Sequence, residues 1–139
     1  MNRIVLGLAL VLLPLYASAS AWAQGGQGDA RAAAEPVVRQ LEAFRRGDFD
    51  TAFSFASGMI QAQFDRQAFE TMVRRGYPEI ARSTFAAVVK TELVPRVAAY
   101  VTVKIHGANG QSIEAVYEVV WQGAWKINGV VTRPDSGVI

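Results

Sequence analysis

The chain has 139 residues, no cysteine and one histidine, with 14 Lys and Arg against 12 Asp and Glu. That composition excludes a disulfide scaffold and leaves too few soft or imidazole ligands for a zinc or iron centre. It also carries no electrostatic footprint for nucleic acid, because the charges nearly balance even though the pI is about 9.2.

The chain opens on Met1-Asn2-Arg3, a short cationic start, followed by an apolar run from Ile4 to Tyr16. Small residues then accumulate up to Ala21-Trp22-Ala23, which has the A-x-A form of a peptidase site. Residues 1–23 are therefore expected to be a secretory signal peptide cleaved before Gln24, with Ala17-Ser18-Ala19 as a second site. The competing reading is an uncleaved membrane anchor, but the run is shorter than the ~20 apolar residues that span a bilayer. The expected location is periplasmic or secreted, with no stable membrane anchor after cleavage. Arg3 leaves with the signal, so the mature chain retains 13 basic and 12 acidic side chains.

Residues 24–35 are Gly-rich and polar at their start and read as a flexible leader. A single domain is expected over residues 36–133, with a tail over 134–139. Pro36 suits the first turn of a helix, and Val37, Leu41 and Phe44 form one apolar stripe up to Arg46. Gly47 ends that helix. Asp48 is the predicted N-cap of a short second helix in which Phe49, Ala52, Phe53 and Ala56 share a face, stopped by Ser57-Gly58. Asp65 caps a third, with Ala68, Phe69, Met72 and Val73 as its stripe and Gly76 as its end. Tyr77-Pro78 predicts an extended or turn backbone.

From Thr84 the pattern changes to alternation. The predicted strands are Phe85–Leu93, Val97–His106, Gln111–Gln122 and Ala124–Thr132, separated by Pro95, Asn109-Gly110 and Gly123. The fold class is α+β: three N-terminal helices packed on one face of a curved antiparallel sheet of about four strands. A two-residue turn at Asn109-Gly110 would pair Ile105 with Glu114 and mix apolar with charged groups. A three-residue loop, Ala108-Asn109-Gly110, pairs Ile105 with Ile113, Val103 with Ala115 and Val101 with Tyr117, and gives one clean apolar face. The same logic at the next hairpin sets Trp121 beside Trp125 and Val119 beside Ile127. The core face is then expected to run from Val97 and Ala99 through Tyr117 to Trp121, Trp125 and Ile127.

Several segments resemble a known family. Gln40-Leu41-Glu42-Ala43-Phe44, Asp48-Phe49 with Ala52-Phe53 and Phe55-Ala56-Ser57, Gly76-Tyr77-Pro78, Tyr117-Glu118, and Trp125-Lys126-Ile127-Asn128-Gly129-Val130 together resemble the bacterial domain of unknown function 4864. The likeness runs from Pro36 to Val131. The helix order and the closing strand also look like the nuclear-transport-factor-two-like (cystatin-like, ketosteroid-isomerase-like) cone. What the resemblance implies is a fold rather than an activity.

Motifs of chemistry are sparse. Ser57 lies in Phe55-Ala56-Ser57-Gly58-Met59, not in a G-x-S-x-G elbow, and His106 is expected at a solvated strand end. There is no phosphate-binding glycine loop, and Asp48-x-Asp50 reads as a helix cap rather than a calcium loop. Resemblance to ketosteroid isomerases raises the idea of carboxyl groups inside the cone, yet Glu114 and Glu118 fall on the opposite sheet face. No catalytic, metal or cofactor site is assigned. The expected function is an exported module binding a small apolar ligand or a protein, with Tyr77, Tyr117, Trp121 and Trp125 as candidate ligand-binding residues. Two alternatives stay open: an isomerase- or hydratase-like enzyme using the cone, and a purely structural subunit. A second copy of the chain is an expected partner, through a face carrying Tyr100, Thr102, Val116, Glu118 and Val120.

Overall fold

The computed structural model describes residues 14–95 and 97–135, with side chains described from Asp29 onward. The cationic start, most of the apolar run and residues 136–139 of the tail lie outside the described residues. Five helices precede four strands: α1 (Pro14–Arg45), α2 (Phe49–Ser54), α3 (Gly58–Gln63), α4 (Arg66–Gly76), α5 (Pro78–Ala81), β1 (Ser83–Val94), β2 (Ala98–Gly107), β3 (Ser112–Trp121) and β4 (Trp125–Pro134). The strands form one antiparallel sheet in the order β1-β2-β3-β4.

The helical half departs from the sequence reading in three places. First, α1 extends N-terminally well past Pro36, through the segment read as a flexible leader. Ala33 and Ala34 already lie in the core, and the alanine run around them has the highest helix propensity available. Second, Ser57 both follows α2 and caps α3: its hydroxyl accepts from the Ile60 N–H at 3.3 Å. Third, Tyr77 is non-helical, as a residue before proline should be, but Pro78 then opens a short helix instead of a loop. Among the described residues, five helices therefore stand where three were expected.

The remaining local signals form as read. Gly47, at φ +69, closes α1 with the Gly47 N–H on Phe44 O at 3.0 Å and the Asp48 N–H on Ala43 O at 2.9 Å. This is the left-handed terminator that favours glycine. Asp48 caps α2 through the Thr51 N–H at 3.1 Å, and Asp65 caps α4 through the Ala68 N–H at 2.7 Å. The central hairpin takes the three-residue loop, with Gly110 at φ +81 and Ile105, Val103 and Val101 opposite Ile113, Ala115 and Tyr117.

The inner sheet face is buried from Ala99 to Ile105 and from Ile113 to Val119; α1, α3 and α5 pack on the sheet, and Phe49 and Ala52 of α2 with Phe69 and Val73 of α4 join the same core. Its edge toward Val94, Val97 and Trp121 is not covered. Val97 is 64% exposed and lies outside β2, while Trp121 is 58% exposed. Trp125 is half-buried against the core. These three were expected in the core. The helices leave Val97 and Trp121 largely exposed at this sheet end, although α3 meets the hairpin tip there, with the Gly58 N–H donating to Gln122 Oε1 at 3.1 Å.

Candidate functional site

Between the helices and the β3–β4 half of the sheet lies a cavity of about 300 Å³, at the lower end of the range for small-molecule sites. Phe44 of α1 and Phe69, Met72 and Val73 of α4 form one side. Ile60 and Phe64 close a second, and Tyr117 with Ile127 and Val130 forms the sheet wall. Tyr77 and Ile80 complete it at the α4–α5 junction. No Asp, Glu, His, Lys or Arg is among the lining residues.

Two polar side chains matter inside this apolar shell. Gln40 is buried, and its amide N–H donates to Ala52 O at 3.1 Å, tying α1 to α2. Tyr117 is among the most completely buried large side chains, and its hydroxyl has no hydrogen-bond partner. Burial, and after it the neighbouring Tyr77 phenol, pushes the Tyr117 hydroxyl well above the ordinary phenol range. Tyr117 is therefore a neutral hydrogen-bond donor at any working pH.

The cavity brings together two of the four candidate ligand residues, Tyr77 and Tyr117. Trp121 and Trp125 do not line it. They pack edge to face, centroids 5.5 Å apart, toward the open sheet end. The sequence reading missed Gln40, Ile60 and Phe64. Ile60 and Phe64 carry the i, i+4 signal of a helix face, and Ser57 three residues before Ile60 is an N-cap signal.

A β-bulge at the edge of the site positions α3. The register shifts between Glu118, opposite Gly129, and Val119, opposite Ile127, so Asn128 is the extra residue on β4. Its amide N–H donates to Glu118 Oε1 at 2.6 Å. Its carbonyl accepts from the Ser57 hydroxyl at 2.8 Å. The backbone runs parallel here, with the Ser57 N–H on Ile127 O at 2.7 Å and the Ile127 N–H on Phe55 O at 2.8 Å.

On the outer sheet face lie Tyr100, Thr102, Val116, Glu118 and Val120, where the register places them. Tyr100 donates from its hydroxyl to Glu118 Oε2 at 3.4 Å, and Glu114 pairs with Arg133 across β3–β4. Val131, 74% exposed, sits beside Val116. His106 is exposed at the end of β2, its Nδ1 against the Ser112 hydroxyl and its ring 5.6 Å from Phe85. Among the described residues, no three acidic or imidazole side chains gather as a metal site would need, and no helix is long and apolar enough to cross a membrane.

Helices laid over one face of an open, four-stranded antiparallel meander, with an uncharged cavity between the layers, define an α+β domain with a built-in apolar pocket. Residues 28–138 match the family described as Domain of unknown function (DUF4864), and the chain belongs to that family. No curated protein matches the chain, and no solved structure does.

Proposed function

We propose that this chain is an exported binding module that holds a small, mainly apolar molecule between its helices and its sheet. The observation that carries the reading is the cavity of about 300 Å³, uncharged throughout its lining, with one buried phenol on its wall. A cavity walled by Phe44, Phe64, Phe69 and Met72 offers water few hydrogen-bond partners and is stabilised by an apolar occupant. Acid–base chemistry would have only phenols and an amide to draw on among the lining residues. The order of helices followed by a four-stranded meander supports placing the domain in the nuclear-transport-factor-two-like group of cones.

Occupancy of the cavity is tested with the neutral dye N-phenylnaphthylamine and by native mass spectrometry of the purified protein. Met72 is half-buried on the α4 side, and Met72→Trp places a larger ring in the space a ligand would take. The substitution is expected to abolish dye fluorescence and any retained ligand mass while the circular dichroism stays unchanged. Undiminished dye binding by Met72→Trp would place the binding surface elsewhere.

Export is supported by the cationic start, the short apolar run and Ala21-Trp22-Ala23. Among the described side chains, burial in α1 starts at Ala33, so cleavage before Gln24 spares the part of α1 that packs. N-terminal sequencing of protein from the periplasm of a Gram-negative host is expected to begin at Gln24. Recovery solely as full-length, membrane-bound chain would refute export.

A further inference from the structure

The sheet end that carries the β1–β2 and β3–β4 turns exposes a group of large apolar side chains. Val97 is 64% exposed, Trp121 58%, Met59 49% and Val94 40%. All four gather at this end. The Val97 N–H bonds Val94 O at 3.1 Å across the β1–β2 turn. Val97 stands one step beyond the Ala98–Val120 pair, which sets it opposite Trp121. The Trp121 ring meets Trp125 edge to face across the β3–β4 turn. Met59 follows Gly58, whose N–H is bonded to Gln122 in that same turn. Single exposed hydrophobes need no explanation, but a contiguous group does.

Charge is distributed just as unevenly. The segments that build this end are 58–63, 94–99 and 119–128, and they contain none of the chain's 12 acidic residues. Their charged residues are Arg96 and Lys126, both cationic. The Lys126 ammonium donates to Ser54 O at 2.9 Å, which fixes a cation at the end of α2. The two acids that flank these segments are engaged: Glu92 pairs with Lys90 at 2.7 Å, and Glu118 accepts from the Asn128 amide at 2.6 Å.

We propose that this end of the sheet docks on the surface of an anionic lipid bilayer, with Trp121 and Val97 entering the boundary between headgroups and acyl chains. A stable protein–protein contact uses about 20–30 residues a side, far more than four exposed apolar side chains supply. A bilayer demands less, because each side chain that reaches the acyl boundary sheds its water without needing a shaped partner. Indole suits that depth, with an apolar ring and an N–H left to the wet headgroup layer. Cations without competing acids add attraction to anionic headgroups. The contact is peripheral and separate from the pocket: among the described residues no helix can cross a membrane, and neither Trp121 nor Trp125 lines the cavity.

Trp22 precedes Gln24, so the tryptophan fluorescence of protein beginning at Gln24 reports Trp121 and Trp125 alone. That protein is expected to sediment with vesicles of phosphatidylethanolamine and phosphatidylglycerol. Its emission should shift to the blue and be quenched when the acyl chains carry bromine. Vesicles of phosphatidylcholine alone should bind roughly tenfold more weakly, as the attraction for two cations is lost. Trp121→Glu and Val97→Glu should each weaken binding to the anionic vesicles about tenfold or more, with the circular dichroism unchanged. Val131→Glu makes the same charge change on the outer sheet face, at a side chain 74% exposed, and should bind as the wild type does. Absence of vesicle binding, binding without quenching by brominated chains, or an equal loss in Val131→Glu would each overturn the proposal. So would a wild-type dimer that ignores vesicles and becomes monomeric in Trp121→Glu by light scattering, which would assign these side chains to a second copy. None of these outcomes bears on dye binding in the cavity, so the pocket reading stands or falls on its own test.

Discussion

Phe49→Ala is expected to destabilise the domain by about 3–5 kcal/mol, the scale for truncating a fully buried phenylalanine. Phe49 begins α2 and is 1% exposed. Its ring lies 5.3 Å from that of Phe44 on α1, which in turn stacks on Phe69 of α4 at 6.1 Å, and Phe53 meets Phe69 at 5.0 Å. The same Phe49 ring receives two cations. The Arg74 guanidinium is 4.5 Å from its centroid and that of Arg66 is 6.0 Å away. Arg66 also pairs with Asp50 at 2.5 Å and Glu70 at 3.1 Å, holding α2 to α4. Removing the ring thus opens a void where three helices meet and strips two guanidinium groups of their aromatic partner. Urea unfolding monitored by circular dichroism reads the loss. Trp125→Ala, at a position the strand pattern assigns to the core face, should cost less, because Trp125 is only half-buried beside the exposed Trp121. A loss for Phe49→Ala no larger than that for Trp125→Ala would show that the aromatic cluster does not anchor the helical layer.

The contrast between these two residues shows where the sequence was legible. Alternation with period two fixes which side of a strand faces the core, and a one-residue slip would have inverted it. For that reason the pairing of Val101 with Tyr117 and of Ile105 with Ile113 followed from the apolar pattern, as did the left-handed Gly110. Periodicity carries no information on how far the opposing layer extends. Val97 and Trp121 continue the inner-face pattern, yet the helical layer leaves both largely exposed. The helices α3 and α5 were hidden for a different reason. Each is shorter than two full turns, so no amphipathic stripe accumulates, and the signals at Ser57-Gly58 and Tyr77-Pro78 suit a stop as well as a start. Of the cavity, Tyr117 was visible as a candidate because large aromatics on the inner sheet face are few, whereas Tyr77 lies off the sheet, at the α4–α5 junction. Gln40 was not visible, since its meaning depends on Ala52 O being brought across from another helix.

The second large effect is expected at Ser57, where Ser57→Ala should cost about 2–4 kcal/mol from a lost helix cap and an unpaired amide carbonyl together. Hydrogen-bond direction along this chain is set from its far end. An ionised Glu118 only accepts, so the Asn128 amide N–H must face it, at 2.6 Å. The Asn128 carbonyl consequently faces Ser57 and takes its hydroxyl proton at 2.8 Å. That leaves the Ser57 oxygen to accept the Ile60 N–H at the start of α3. Ser57 is fully buried, so water has no ready access to replace what alanine removes. Because α3 carries Ile60, and Phe64 follows it, the substitution should also loosen one wall of the cavity and weaken N-phenylnaphthylamine binding. Ser54 offers a control: its hydroxyl bonds Thr51 O on the exposed side of α2, and Ser54→Ala should stay within about 0.5 kcal/mol of the wild type. Asn128→Ala removes the middle of the chain. If Ser57, Asn128 and Glu118 act as one unit, the double variant Ser57→Ala/Asn128→Ala should lose about 0.5–3 kcal/mol less than the two single losses added. Strict additivity in urea unfolding would mean that the bulge and the α3 cap are stabilised separately, and that the polar chain between them is only proximity.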